Sequence, residues 1–253
     1  MKVAVNSKIK NLDSTAIFIL KVNELLLKTF GKPPRNLKSD PLDILVATIL
    51  SQNTNDFNSH HAYLNLKKKF PDYEKLISAD IKSIEQEIRI AGLGNQKAKA
   101  IKNFLKRLKA ESKSLDLKFL KNYTNEDAIE YLTSFNGIGL KTAACVLLFG
   151  LQKNVCPVDT HVHRILNRLG IVKTKDRDKT FFELHKHLPD DIAHQFHTNL
   201  IKLGRTICLS QNPKCFECPL KNLCKYENKN LTQNSLKSNT KNDKKNFMLL
   251  DSV

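Results

Sequence analysis

Glycine and proline are scarce in this chain, eight of each among 253 residues, and strand-like alternation of apolar with polar residues is rare. That shortage argues against a sandwich or barrel of short strands, which needs a turn signal every few residues. Long apolar runs are missing too. None approaches the roughly 18 residues of a membrane-spanning helix, and Met1–Lys8 lacks the apolar core of a signal peptide. No membrane partner is expected, and the expected location is cytoplasmic. Acidic residues are in deficit, 25 against 42 Lys plus Arg, leaving a formal charge of +17. Such a surplus bears on partners and not on fold, and it favours polyanions. Nucleic acid is the obvious one, because each neutralised phosphate releases condensed counterions; a ribosomal or chromatin-type binder would show the same charge. In a reducing compartment the six cysteines are not expected to form disulfides, so any cluster of them suggests metal.

What is present is helical periodicity. Residues 13–29 read as a first helix and 41–51 as a second, opened by a proline at a favourable early position. The near-continuous apolar character of the second suits a helix buried in a bundle. Further helices are expected at 56–69, 73–78, 81–90, 95–110, 124–135, 140–151, 160–169, 178–187 and 190–204. From Lys229 to Val253 the chain turns to Asn, Lys, Ser and Thr, and a disordered tail is expected there.

Two segments carry chemistry. The first is Asn136-Gly137-Ile138-Gly139-Leu140-Lys141-Thr142-Ala143, a Gly-x-Gly turn between two helices, with an echo at Gly92-Leu93-Gly94-Asn95-Gln96-Lys97-Ala98. The helix before the first of these starts at Thr124, with Asp127 as a capping-box partner. Glycines at 137 and 139 permit backbone angles closed to other residues. They also leave the N–H groups of the next helix open to a phosphate, and Ile138 would point inward to lock the two helices together. An ordinary helix-ending turn has the same glycines. The second segment is Cys208, Cys215, Cys218 and Cys224, spaced C-x6-C-x2-C-x5-C. Four thiolates in so short a span can enclose one centre, zinc or [4Fe–4S]. Zinc sites usually bring two C-x2-C knuckles and this segment has one, so the wide gaps suit the larger cubane better. Cys145 and Cys156 lie outside the pattern and read as core residues.

The hairpin, Val158-Asp159-Thr160-His161 and the four-cysteine loop, in that order, resemble the endonuclease III family of the helix-hairpin-helix DNA glycosylase superfamily over roughly residues 12–228. The resemblance implies an all-α fold of two helical domains with DNA in the cleft between them. One is a six-helix domain with the helix-hairpin-helix, residues 34–153. The other is discontinuous, residues 1–33 plus 154–228, and carries a [4Fe–4S] cluster on the four cysteines. It implies that Lys141 is a nucleophile and Asp159 the catalytic carboxylate. Leu93 matches a wedge that enters the duplex opposite a flipped nucleotide, and the family's space-filling glutamine falls at Gln52 or Asn53. Gly137 and Gly139 would contact the DNA backbone, and the loop between the first two cysteines would touch phosphate through Lys214. The implied partner is double-stranded DNA holding a damaged base or an abasic site, bound by a monomer associated with the nucleoid.

A base within a duplex is out of reach, so the nucleotide must rotate out. A lysine amine can then displace the base and form an iminium, which a hydroxyl or water cannot. The amine must be neutral to attack, and burial and the positive end of a helix both favour the neutral form. Asp159 just before a helix is also where a capping Asp belongs. Two other readings stay open. A monofunctional glycosylase acting on mismatched adenine or thymine generally lacks a lysine at the position of Lys141. A non-catalytic DNA-binding iron–sulfur protein would need neither Lys141 nor Asp159.

Overall fold

The computed structural model describes residues 12–232. Among them the regular structure is entirely helical, as expected. The expected tail falls mostly outside the described residues; of its first part, the carbonyl of Asn230 accepts a hydrogen bond from the Phe216 N–H (3.2 Å), so the ordered body reaches past Lys229.

The helices start where short polar side chains can satisfy the first free N–H groups. Asp13, Asp40, Asn55, Asp72, Asp80, Thr124, Asp159 and Asp176 each cap a helix through a side-chain oxygen. The cap at Thr124 differs in detail from a capping box. Its hydroxyl accepts from the Asp127 N–H (3.0 Å) and donates to the Asp127 carboxylate (2.7 Å).

Two compact units are present. The first, residues 35–153 of the described chain, contains α2 (Pro41–Ser51), α3 (Asp56–Lys69), α4 (Tyr73–Ser78), α5 (Ile81–Ile88), α6 (Gly94–Ser112), α7 (Asn125–Thr133) and α8 (Leu140–Cys145). Helix α2 is its centre: Pro41, Leu42 and every residue from Ile44 to Leu50 are buried, packed on α3, α6 and α8. Past Cys145 the helix α8 widens into a π-helical turn, Val146–Gly150. A side chain at Gly150 would lie 2.5 Å from the Pro41 Cα, so this turn sits directly on the start of α2. The second unit holds α1 (Ser14–Phe30), α9 (Thr160–Leu169), α10 (Arg177–His185) and α11 (Ala193–Thr206), with the cysteine loop after them. Helix α11 is almost wholly buried against α1 and α9. Gly204 lets it approach α9 closely, because a Cβ there would lie 2.7 Å from that of His161. Cys145 and Cys156 are core residues, as expected. No described helix is long and apolar enough to cross a membrane.

Candidate DNA-contact elements and metal centre

The Gly-x-Gly turn joins α7 to α8. Ile138 is buried between them (4% exposed), and the two glycines on either side are exposed. Their roles differ from the expectation in one respect. Gly137 has φ 86°, a left-handed conformation that favours glycine. Gly139 has φ −91° and ψ 172°, open to any residue, and a Cβ there would meet nothing within 4 Å. Gly139 therefore matters as open space in front of the first turn of α8, and Gly137 as a backbone requirement. A Cβ on Gly137 would also press on that of Ala100 in α6 at 3.3 Å. The end of α7 is fastened to the same helix: Arg107 donates to the Ser134 carbonyl (2.9 Å) and lies over the Phe135 ring. Lys141 is the second residue of α8 and, like Leu140 before it, half-buried, whereas Thr142 to Cys145 are buried.

Gln52 and Asn53 follow α2 and are both exposed. Gln52 donates from Nε2 to the Gly137 carbonyl (3.3 Å), which ties the end of α2 to the hairpin. Asn53 is left-handed, φ 53°. Leu93 is also left-handed, φ 50°, and 49% exposed. A leucine in that conformation is uncommon, and an exposed one has no packing reason to be there.

Asp159 caps α9, its Oδ1 accepting from the Val162 N–H at 2.8 Å. The residues ahead of it are held from two helices. His197, buried in α11, donates from Nδ1 to the Pro157 carbonyl (2.9 Å). His185 accepts the Cys156 N–H at Nε2 (2.9 Å) and donates from Nδ1 to the Phe181 carbonyl (2.7 Å). Those partners fix His185 as one neutral tautomer, since Nε2 must keep its lone pair. Sequence reasoning passed over both histidines, and over the buried Lys97. The signal for Lys97 was its place on the face of α6 that also carries Ala98, Ile101 and Leu105, where an apolar residue belongs.

Cys208, Cys215, Cys218 and Cys224 line one cavity, with Arg168, Ile207 and Tyr226. Two arginines one turn apart on α9 hold its rim. Arg164 donates from Nε and Nη2 to the Cys208 carbonyl (3.1 and 2.7 Å). Arg168 donates to the Cys208 Sγ (3.3 Å) and the Leu209 carbonyl (2.7 Å), and its guanidinium stacks on Tyr226. Burial above all, with the other three cysteines adding to it, pushes the Cys218 thiol up to about 11. Four thiols crowded in this way invite a cationic centre that would accept them as thiolates. Among the described residues no three His, Cys, Asp or Glu side chains group around a single ion; the four sulfurs are set around a cavity. Lys214, between the first two cysteines, is exposed, and its backbone N–H is fixed to the Ile207 carbonyl (2.9 Å).

A family model described as HhH-GPD superfamily base excision DNA repair protein matches residues 46–190. The chain belongs to that family. It is 36% identical over 208 residues to an endonuclease III of Thermotoga maritima, covering 81% of this chain and 92% of that one. It is 43% identical over 183 residues to a putative DNA glycosylase of Arabidopsis thaliana, covering 68% of this chain and 62% of the relative's length. In three dimensions it is similar to the protein in a non-covalent endonuclease III–DNA complex, with a TM-score of 0.68 at 26% identity, covering 83% of this chain and 94% of that one. The endonuclease III resemblance read from the motifs is thus upheld for a member of the HhH-GPD superfamily.

Proposed function

We propose that this HhH-GPD protein is a DNA glycosylase with an associated lyase activity, which removes oxidised or otherwise damaged pyrimidines from duplex DNA. The observation that carries the reading is a half-buried lysine in the first turn of the helix that follows the Gly137–Gly139 turn. The Lys141 amine attacks C1′ of the flipped nucleotide, and the glycosidic bond breaks with its electron pair leaving on the base. The sugar ring then opens: the C1′–O4′ bond breaks, its electron pair and the amine's proton go to O4′, and the nitrogen lone pair forms the C1′=N bond of an iminium, which makes the C2′ proton acidic. Removal of that proton expels the 3′ phosphate, and the strand is cut. Asp159 stabilises positive charge on the sugar or relays the proton. Leu93 and the Gln52–Asn53 turn fill the gap in the duplex, and Gly137, Gly139 and Lys214 meet its phosphates. Residues 34–153 serve as the hairpin domain, and residues 1–33 with 154–228 as the cluster domain.

Adding borohydride to the protein and duplexes that each hold one lesion tests this reading. A covalent adduct on oxidised-pyrimidine duplexes is expected. Base release without an adduct would favour a monofunctional glycosylase instead.

Cys208, Cys215, Cys218 and Cys224 would hold a [4Fe–4S] cluster, and sulfurs set around a cavity suit a cubane, whose four irons sit at separate corners. When bound, the cluster supplies a covalent cross-link of the loop and a centre capable of electron transfer. Protein purified without air is expected to contain about four irons per chain with matching sulfide. Stoichiometric zinc with little iron would overturn the assignment.

Affinity for DNA should fall steeply with salt, because several phosphates are neutralised on binding. Replacing the exposed Lys214 by Ala should flatten the log–log slope by about one unit. An unchanged slope removes Lys214 from the footprint.

A further inference from the structure

Lys97 is 3% exposed, and among the described residues no other lysine or arginine is buried in the core. The remaining lysines of α6, at 99, 102, 106 and 109, are exposed or partly so. A buried ammonium is costly unless its donors are used. The Nζ of Lys97 donates to the carbonyl of Leu50 (2.8 Å) and to that of Ala91 (2.9 Å). The first is an unsatisfied carbonyl in the last turn of α2, where a cation is favoured. The second ends the 3-10 turn Arg89–Ala91. The Lys97 backbone N–H donates in addition to the Leu93 carbonyl (3.0 Å).

These three acceptors lie at or near two of the four left-handed non-glycine residues described in this unit, Asn53 and Leu93, the others being Lys113 and Gln152. Leu50 is three residues before left-handed Asn53, and Leu93 is itself left-handed. Backbone in sparsely populated regions persists only where its surroundings over-determine it, and it concentrates at functional sites. One buried residue thus joins the end of α2 to the Ala91–Leu93 turn, and the Gln52 bond carries the connection on to Gly137 of the hairpin. Burial brings the Lys97 amine down to about 8. Its neutral form keeps two N–H groups for the two carbonyls, so the joint survives loss of the proton.

We infer that Lys97 is a positioning residue, which sets the Gln52–Asn53 turn and the Leu93 turn at the separation needed for both to enter one duplex beside a flipped nucleotide. The inference rests on the proposed function, which makes those turns the gap-filling elements. It predicts a split between substrates. Duplex DNA needs both turns, whereas an abasic site in a single strand has no partner strand to fill and needs the amine of Lys141 alone.

The experiment compares wild type with Lys97→Met, which keeps an unbranched side chain of nearly the same volume and removes its donors. Single-turnover base release from a duplex holding an oxidised pyrimidine should fall roughly 10–100-fold, the usual cost of misplacing a reacting group by about 1 Å. Borohydride trapping on a single-stranded abasic oligonucleotide should stay within about twofold of wild type. In a double-mutant cycle with Leu93→Ala, the two losses on the duplex should be clearly less than additive, because they remove one function. Circular dichroism and melting report whether the variant folds. Should Lys97→Met fail to fold, Lys97→Gln carries the same comparison, since its amide keeps the site polar but ends one bond short of the lysine nitrogen and so gives up both bonds at the Leu50 and Ala91 carbonyls. An equal loss on both substrates, full additivity with Leu93→Ala, or unchanged duplex turnover in a folded variant would overturn the inference. Absence of any adduct or base release in wild type would sink the functional proposal first, and the inference with it.

Discussion

Lys141→Gln is expected to reduce both base release and the borohydride adduct to background, while the protein folds and still binds DNA. Glutamine has a similar length and nearly the same helix propensity, so the first turn of α8 should form unchanged. The packing of this segment is carried by Thr142 to Gly150, all buried, and not by the half-buried lysine ahead of them. Only the nucleophile disappears, because an amide nitrogen cannot form the iminium. The glycines, the open space before Gly139 and the Arg107 fastening of α7 are untouched, so affinity for an abasic analogue should stay close to that of wild type. The check is twofold: single-turnover gels for both activities, and peptide mapping of the wild-type adduct. A crosslink that maps elsewhere, or one that persists in Lys141→Gln at the wild-type rate, would show that another amine does the chemistry.

The same residues show which parts of the molecule were open to sequence reasoning. Helix α2 was legible to the residue, because a Pro at its start and a near-continuous apolar stretch leave little choice. The expected helix at 140–151 is present as a continuous helical segment, but its π-helical second half was not legible. A run of Val, Leu, Leu and Phe looks alike in either register, and Gly150 lies against Pro41, which is more than a hundred residues away in the chain. The short 3-10 turns Lys118–Asn122 and Cys215–Glu217 were missed, and Arg89–Ala91 was read as the end of the helix expected at 81–90, for a related reason: three to five residues carry too little periodicity to read. The chemistry-bearing segments were easier, since C-x6-C-x2-C-x5-C and Gly-Ile-Gly are local patterns. Their supports were not. The bonds from Lys97 to Leu50, His185 to Cys156 and His197 to Pro157 span 47, 29 and 40 residues, and nothing local marks such partners.

Asp159→Asn should slow the chemistry by roughly 10²–10⁴, the usual contribution of a positioned proton-transfer group, with little change in melting temperature. The reason for expecting a clean separation is that Asp159 has two tasks that draw on different properties. As a cap it needs only an oxygen facing the Val162 N–H, and asparagine supplies one about as well. As a carboxylate it needs its charge or its proton affinity, which the amide lacks. The backbone leading to it is held by His197 at Pro157 and by His185 at Cys156, so the new side chain should occupy the old position. Asp159→Ala provides the contrast. It removes both tasks and should also cost about 1 kcal/mol of stability through the lost cap. Thermal melts and single-turnover rates on both variants decide between the roles. If Asp159→Asn loses as much stability as Asp159→Ala, the cap depends on charge and the slow rate has a structural origin. If instead Asp159→Asn melts like wild type and turns over like wild type, Asp159 is a cap alone, and the carboxylate that assists bond cleavage must be sought elsewhere in the chain.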